Sequence, residues 1–386
     1  MAGSIKTNKW LEFVLATVCF LTPMVVVVPW SKLEQSNDFA KCYAASYLMH
    51  SDAYRLIYNA NVFAPPVIGW IFSPLSYLKL KMALYAWIAI AIIAMFVSCL
   101  VICQSLGIKG SKKLWVFAFF GALGPCVMSV WHEQLLPFIL FALTGLYISL
   151  KKRRFIYASI YQFLLWLKPY ILFPIMISEL AAGQTNLVVI SFLLAVIGVL
   201  ISCVRGGTSI LWNYWQLCLS QKLDTPLLSL LQAFAVPNHI LVSAWQLDLY
   251  RSITTVLYGA LLVIAFFAGK EIKAKKLPLS ILFTFIVPLT LCLFSSILPY
   301  DLLLIAPAIL LVVVSQPQGW RKYLKAILVL VILAVLILPD YLAIFSLGIF
   351  RNTVFSPFFW ATLAFSIGSL IIKRQSVGGH ADVHDS

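Results

Sequence analysis

The chain has 386 residues, 62% of them hydrophobic and only 11% charged, with 28 Lys and Arg against 13 Asp and Glu. Soluble domains carry about 45–50% apolar and about 25% charged residues, and no soluble fold of this size hides so much apolar surface, because surface falls too slowly with mass. Soluble, disordered, coiled-coil, collagen-like and disulfide-scaffold classes are excluded, which leaves a polytopic membrane protein whose solvent is lipid.

A crossing needs about 20 apolar residues, and Lys and Arg favour cytoplasmic loops. Lys6 and Lys9 precede the first apolar run, Trp10 to Trp30, so the N-terminus reads as cytoplasmic. That run is too long for a signal h-region and lacks a small-residue cleavage site, so it reads as a retained first crossing. Residues 31–62 are then external and comparatively polar. Aromatic or apolar residues at 43, 47, 54 and 58 predict an amphipathic helix between Tyr43 and Tyr58, lying in the membrane interface.

Residues 63–79 are apolar but interrupted by Pro65, Pro66 and Pro74. Read as a partly inserted segment, they let 82–104 return the chain and put Lys109, Lys112 and Lys113 in the cytoplasm. Read as a full crossing, they put those lysines outside. The first reading is preferred, and the second stays open.

Residues 114–130 go out, and 134–150 come back to Lys151-Lys152-Arg153-Arg154, the strongest cytoplasmic marker. Residues 155–167 and 170–181 form a short pair with Lys168-Pro169 at its external tip. Residues 186–204 go out to a long external loop, 205–250, which holds Arg205, Trp212, Trp215 and Trp245. Residues 252–269, 277–296, 302–316, 324–345 and 353–373 complete about twelve crossings.

Both termini are then cytoplasmic, and inside Lys and Arg outnumber outside ones by more than two to one. This bias accounts for the basic excess, and no nucleic-acid module is present, so nucleic acid is not an expected partner. The expected fold class is all-α, a polytopic helical membrane protein. One transmembrane domain covers 1–374, and the polar tail 375–386 is expected to be disordered. Cys19, Cys99, Cys103, Cys126, Cys203 and Cys292 read as small buried hydrophobes. Cys42 and Cys218 fall in external loops, where pairing is open, and no cysteine spacing suggests a metal.

Once the topology is drawn, the unusual polar groups fall on one side. They are Asp38, His50, Asp52 and Arg55, the turn His132-Glu133-Gln134, the tip Lys168-Pro169, then Arg205 and Tyr300-Asp301. Each has a bland reading: Asp38 as a helix cap, His132 and Glu133 as solvated turn residues, Lys168 as a snorkelling lysine, Tyr300-Asp301 as an interface anchor plus a cap. The tryptophans read first as belt aromatics. Convergence on one face is what raises the polar groups together. There is no Walker loop, no HExxH, no Gly-x-Ser-x-Gly and no DxD pair. The crossings themselves are nearly free of polar groups.

The order of motifs resembles the C-type integral-membrane glycosyltransferases, in particular family 87, the polyprenol-phosphate-mannose-dependent mannosyltransferases. The likeness begins with Asp38-Phe39 and the tyrosines 43, 47, 54 and 58. It continues through Phe63-Ala64-Pro65-Pro66, Ser73-Pro74-Leu75, Gln134, Lys168-Pro169 and the stretch Ser295 to Asp301. Phe63 stands where tyrosine is commoner, and His132-Glu133 replaces a small residue before Gln134.

The resemblance implies transfer of a sugar, mannose favoured, from a polyprenyl-phosphate donor to a glycan or lipid acceptor at the periplasmic or outer face of the cell membrane. A carboxylate must take the proton of the attacking hydroxyl, and a cation must hold the leaving phosphate. Asp38 suits the first task, and Lys168, Arg205 or Arg55 the second. His132, Glu133, Gln134, Tyr300 and Asp301 are the expected sugar and acceptor contacts, with no metal or cofactor needed. Two other classes stay open: a flippase or transporter for a lipid-linked sugar, and a polysaccharide polymerase or ligase.

Overall fold

Every regular element among the described residues is helical. The computed structural model describes residues 9–27, 38–50, 54, 65–220, 244–294, 303–315, 319–344 and 357–373. Helix α1 is Lys9–Val27, α2 Asp38–Met49, α3 Ile68–Ile71, α4 Leu80–Ser105, α5 Ser111–Ala122 and α6 Gly124–Trp131. Then come α7 Leu136–Lys151, α8 Phe155–Leu164, α9 Pro169–Ala181, α10 Thr185–Gly206, α11 Ser209–Ser220 and α12 Ala244–Lys273. Last are α13 Val287–Phe294, α14 Ala306–Val314, α15 Arg321–Ile344 and α16 Pro357–Lys373.

Helices α4 and α10, of 26 and 22 residues, are long and apolar enough to cross a membrane. At 1.5 Å per residue they reach about 39 and about 33 Å, against a hydrocarbon core about 30 Å thick. The pair α5 and α6 gives a third candidate, bent by 50°. The bend has a local cause. Leu123 is extended, and Pro125 in the first turn of α6 brings no N–H to the helical ladder. On α5, Gly121 lies against the backbone of Phe20 on α1, where a Cβ would collide. Glycine is what lets those two helices approach.

The short pair expected at 155–181 is present. Helix α8 passes through a 3-10 turn, Leu165–Leu167, into Lys168, and Pro169 starts α9. The residue before a proline is pushed out of the helical region, and Lys168 sits at φ −133 and ψ 75. Over 65–78 the chain forms only α3 and a 3-10 helix, Ser73–Tyr77. Neither is long enough to cross a membrane by itself.

Two expectations need correction. The helix predicted between Tyr43 and Tyr58 runs instead from Asp38 to Met49. Its buried face is Phe39, Cys42, Ala45, Ser46 and Met49, while Tyr47 points outward. Small side chains decide the face: Cys42, Ala45 and Ser46 let α2 lie close on α3 and the 3-10 helix. Tyr54, by contrast, is buried and donates its hydroxyl to the Pro66 carbonyl. The second correction concerns 205–250, expected as a loop: α11 occupies its start and α12 begins at Ala244. Gly207, at φ 74, separates α10 from α11.

Contacts between helix ends define two ends of the bundle. Lys113 at the start of α5 lies 3.7 Å from Glu12 in the first turn of α1. Lys151 at the end of α7 donates to the Ser105 carbonyl at the end of α4, 2.9 Å away. These define a basic end, which also holds Arg153 and Arg154. Helix α9 runs parallel to α12: Tyr258 donates to the Tyr170 carbonyl at 3.1 Å, and Ser178 to the Ala265 carbonyl at 2.6 Å. Lys273 then comes up beside Gly183, so the α12 lysines join the basic end.

Candidate functional site at the opposite end

Asp38 is the first residue of α2, and its Oδ2 accepts the N–H of Leu135 at 3.2 Å. One hydrogen bond therefore ties the start of α2 to the turn ahead of α7. The carboxylate also sits at the positive end of the α2 dipole. Under it lies an aromatic floor. Phe39 is fully buried, with its ring centroid 5.8 Å from Tyr43 and 5.8 Å from Trp87. Phe138 of α7 closes on Trp87 at 4.7 Å, and Phe72 at 5.0 Å. Tyr43 donates to the Leu78 carbonyl at 2.9 Å. These contacts fix α2 against α4 and α7, so the Asp38 carboxylate has a set position. Cys42, one turn along, is a buried free thiol. Burial, then the charge of Asp38, pushes it well above the ordinary thiol range, which leaves it a poor nucleophile. The side chain of Cys218 lies outside the described residues.

The turn His132-Glu133-Gln134 closes α6. Gln134 N–H donates to the Ser129 carbonyl at 2.9 Å and Glu133 N–H to Val130 at 3.2 Å. This is a Schellman ending, whose penultimate residue is usually a left-handed glycine. Here that residue is Glu133, at φ 52. A non-glycine residue pays about 1–2 kcal/mol there. Glu133 is also only 1% exposed. Glu133 thus combines a left-handed backbone with a buried carboxylate, two costs on one residue. Gln134, also buried, donates from Nε2 to the His132 carbonyl at 3.0 Å. The His132 ring stacks on Trp131 with centroids 5.2 Å apart.

Lys168 belongs to the same end. Tyr161 of α8 packs edge-on against Phe141 of α7, with centroids 5.6 Å apart. The antiparallel α7–α8 pair then carries the chain on to Lys168, near the level at which α7 begins. The Lys168 Nζ stands 5.7 Å from the Tyr170 ring centroid. Arg205, exposed, ends α10. Two turns earlier, Val67 packs against Gly198 of α10, and burial pushes the Tyr54 hydroxyl up to about 12.

The structure thus joins Asp38 directly to the turn holding His132, Glu133 and Gln134. It puts Lys168 at the same end, and packs α10 against Val67. Arg55, Tyr300 and Asp301 lie outside the described residues, as do His50's neighbours 51–53. Among the described residues no three His, Cys, Asp or Glu side chains stand together as a metal site. One buried polar pair was not anticipated: Gln162 of α8 donates to Glu179 of α9 at 2.5 Å. The signal was a lone acid in the apolar run 170–181. No protein-family model, curated protein or solved structure matches the chain.

Proposed function

We propose that the chain is a multi-pass membrane glycosyltransferase that moves a sugar, mannose favoured, from a polyprenyl-phosphate donor to a glycan or lipid acceptor. The observation that carries this reading is the Asp38–Leu135 hydrogen bond. It holds a carboxylate beside the strained, buried Glu133 turn, at the end of the bundle where Lys168 also lies. The basic clusters gather at the opposite end. With the positive-inside bias, that supports about twelve crossings, cytoplasmic termini and a site at the periplasmic or outer face.

In the proposed reaction the acceptor hydroxyl attacks the anomeric carbon and its proton passes to Asp38. The bond from the anomeric carbon to phosphate oxygen breaks, and the electron pair leaves with the phosphate. Lys168, with Arg205 and Arg55 as further cations, neutralises the growing phosphate charge. Glu133 and Gln134 offer oxygens and an amide to sugar hydroxyls. His132, Tyr300 and Asp301 complete the sugar and acceptor contacts. Protein dipoles and cations supply the stabilisation, so the step needs no metal.

The buried Glu179–Gln162 pair favours a second reading, a flippase for the same lipid-linked sugar, since a transporter wants polar groups within its crossings. Purified protein in vesicles, given a labelled polyprenyl-phosphate mannose, separates the two. Label appearing on an acceptor supports the enzyme, and label crossing the bilayer unchanged supports the flippase.

A further inference from the structure

Glu179 lies in the last turns of α9, and its backbone carbonyl accepts Gln184 N–H at 2.8 Å. Its side chain is 1% exposed, and Gln162 on α8 is 0% exposed. Gln162 Nε2 donates to Glu179 Oε2. The other two oxygens, Glu179 Oε1 and Gln162 Oε1, are buried and have no hydrogen-bond partner among the described residues. Two orphaned acceptors in one pair is an unusual arrangement, because buried polar atoms are nearly always satisfied.

Among the described residues no ion pair reaches Glu179. Helix α9 packs on α10, α12, α13, the 3-10 turn 165–167 and the π-helical turn Leu282–Ile286. The two turns and α13 carry no charged residue. Helix α10 brings Arg205 and Cys203, both at its far end. Helix α12 brings Tyr258, Lys270, Glu271 and Lys273, besides Asp248, Tyr250 and Arg251 near its start. Lys273 comes up beside Gly183, beyond the end of α9, and no ion pair joins it to Glu179. A helix C-terminus is also the negative end of the dipole, which disfavours an anion at Glu179.

We propose that Glu179 binds a proton and donates it from Oε1 to Gln162 Oε1. The carboxylic acid and amide then share two hydrogen bonds, and the pair fastens α8 to α9. A single proton satisfies both orphaned oxygens and removes the unpaired buried charge. The pair closes the hairpin whose tip is Lys168, so it sets the height of that tip. This last consequence rests on the reading of Lys168 as a phosphate ligand, whereas the protonated pair does not.

Infrared spectra of the full-length protein in lipid nanodiscs at neutral pH test it. Wild type should show the carbonyl stretch of a protonated carboxylic acid, absent from Glu179→Gln and insensitive to sodium chloride. Gln162→Leu should keep the band and move it to higher frequency, as its hydrogen bond is lost. Identical wild-type and Glu179→Gln spectra would overturn the proposal. So would a band removed by sodium, which would make this a metal-cation site, or a band unmoved by Gln162→Leu. If Glu179→Gln does not fold, the Gln162→Leu shift still decides. None of these readings uses sugar transfer, so failure here leaves the enzymatic reading standing, and failure of that reading leaves the pair intact.

Discussion

Helix α7 is entered and left by turns of the same backbone form. Before it, Glu133 takes φ 52; after it, Arg153 takes φ 54. Each turn closes its helix with the same pair of hydrogen bonds, Gln134 to Ser129 and Glu133 to Val130 in one, Arg154 to Ser149 and Arg153 to Leu150 in the other. Their surroundings are opposite. Arg153 is exposed among Lys151, Lys152 and Arg154, while Glu133 is buried beside the start of α2. A solvated arginine there is a plain helix stop, with headgroups or water to meet its charge. A carboxylate turned inward on the same strained backbone incurs desolvation as well. That difference sets the Glu133 turn, with Asp38 hydrogen-bonded beside it, apart from the exposed turn at the other end of α7, and the proposed function places its site there.

The sharpest way to break this contrast is Asp38→Asn. Asparagine caps a helix as well as aspartate does and can still accept the Leu135 N–H. General-base catalysis contributes roughly 10²–10⁴-fold, so transfer should fall by that factor while donor binding persists. A near-normal rate in a folded variant would reduce Asp38 to a cap and pass the role to Glu133 or Asp301. Lys168→Ala should follow with a smaller effect. A charge-assisted contact is worth about 1.5–3 kcal/mol, or roughly ten- to a hundredfold in donor kcat/KM. Unchanged donor kinetics would transfer the phosphate to Arg205 or Arg55.

The two ends can also be told apart by access. In a cysteine-free background, Lys152→Cys should escape an impermeant thiol reagent in intact cells, and Thr208→Cys should react. Labelling at 152 would invert the bundle in the membrane. The smallest expected effect is at Cys42. Its buried thiol stays protonated at pH 8, so a soluble alkylating reagent should leave it unmodified in the folded protein. Alkylation without unfolding, read by mass spectrometry, would mean that α2 lifts from its aromatic floor.

Composition made the helical class and the long apolar helices legible, and proline chemistry made the break at Lys168-Pro169 legible. The bend at Leu123 was harder to see, since 114–130 is one apolar run. Its cause, Gly124-Pro125, was nonetheless in plain view. Tyrosine spacing is a poor guide to the buried face of α2, because the small side chains Cys42, Ala45 and Ser46 set the contact. Asp38 stood out as a residue type in the right place. Its partner, 97 residues away, depends on how α2 docks, which no local pattern encodes. Glu133 is buried in the fold, whereas a His-Glu-Gln turn between two apolar runs reads in sequence as solvated. Glu179 was visible as a lone acid in an apolar run, but its pairing with Gln162 needs the α8–α9 hairpin.

One replacement made at both turns of α7 tests the central claim most directly. Glu133→Gln and Arg153→Gln leave each backbone equally strained and change only the charged group. With labelled polyprenyl-phosphate mannose as donor and monodisperse elution as the check on folding, Arg153→Gln should transfer sugar at the wild-type rate. Glu133→Gln should lose about tenfold or more, the scale of one charge-assisted contact. Equal transfer by the two variants would contradict the account, because the buried turn would then be no more than the helix stop that its exposed counterpart is.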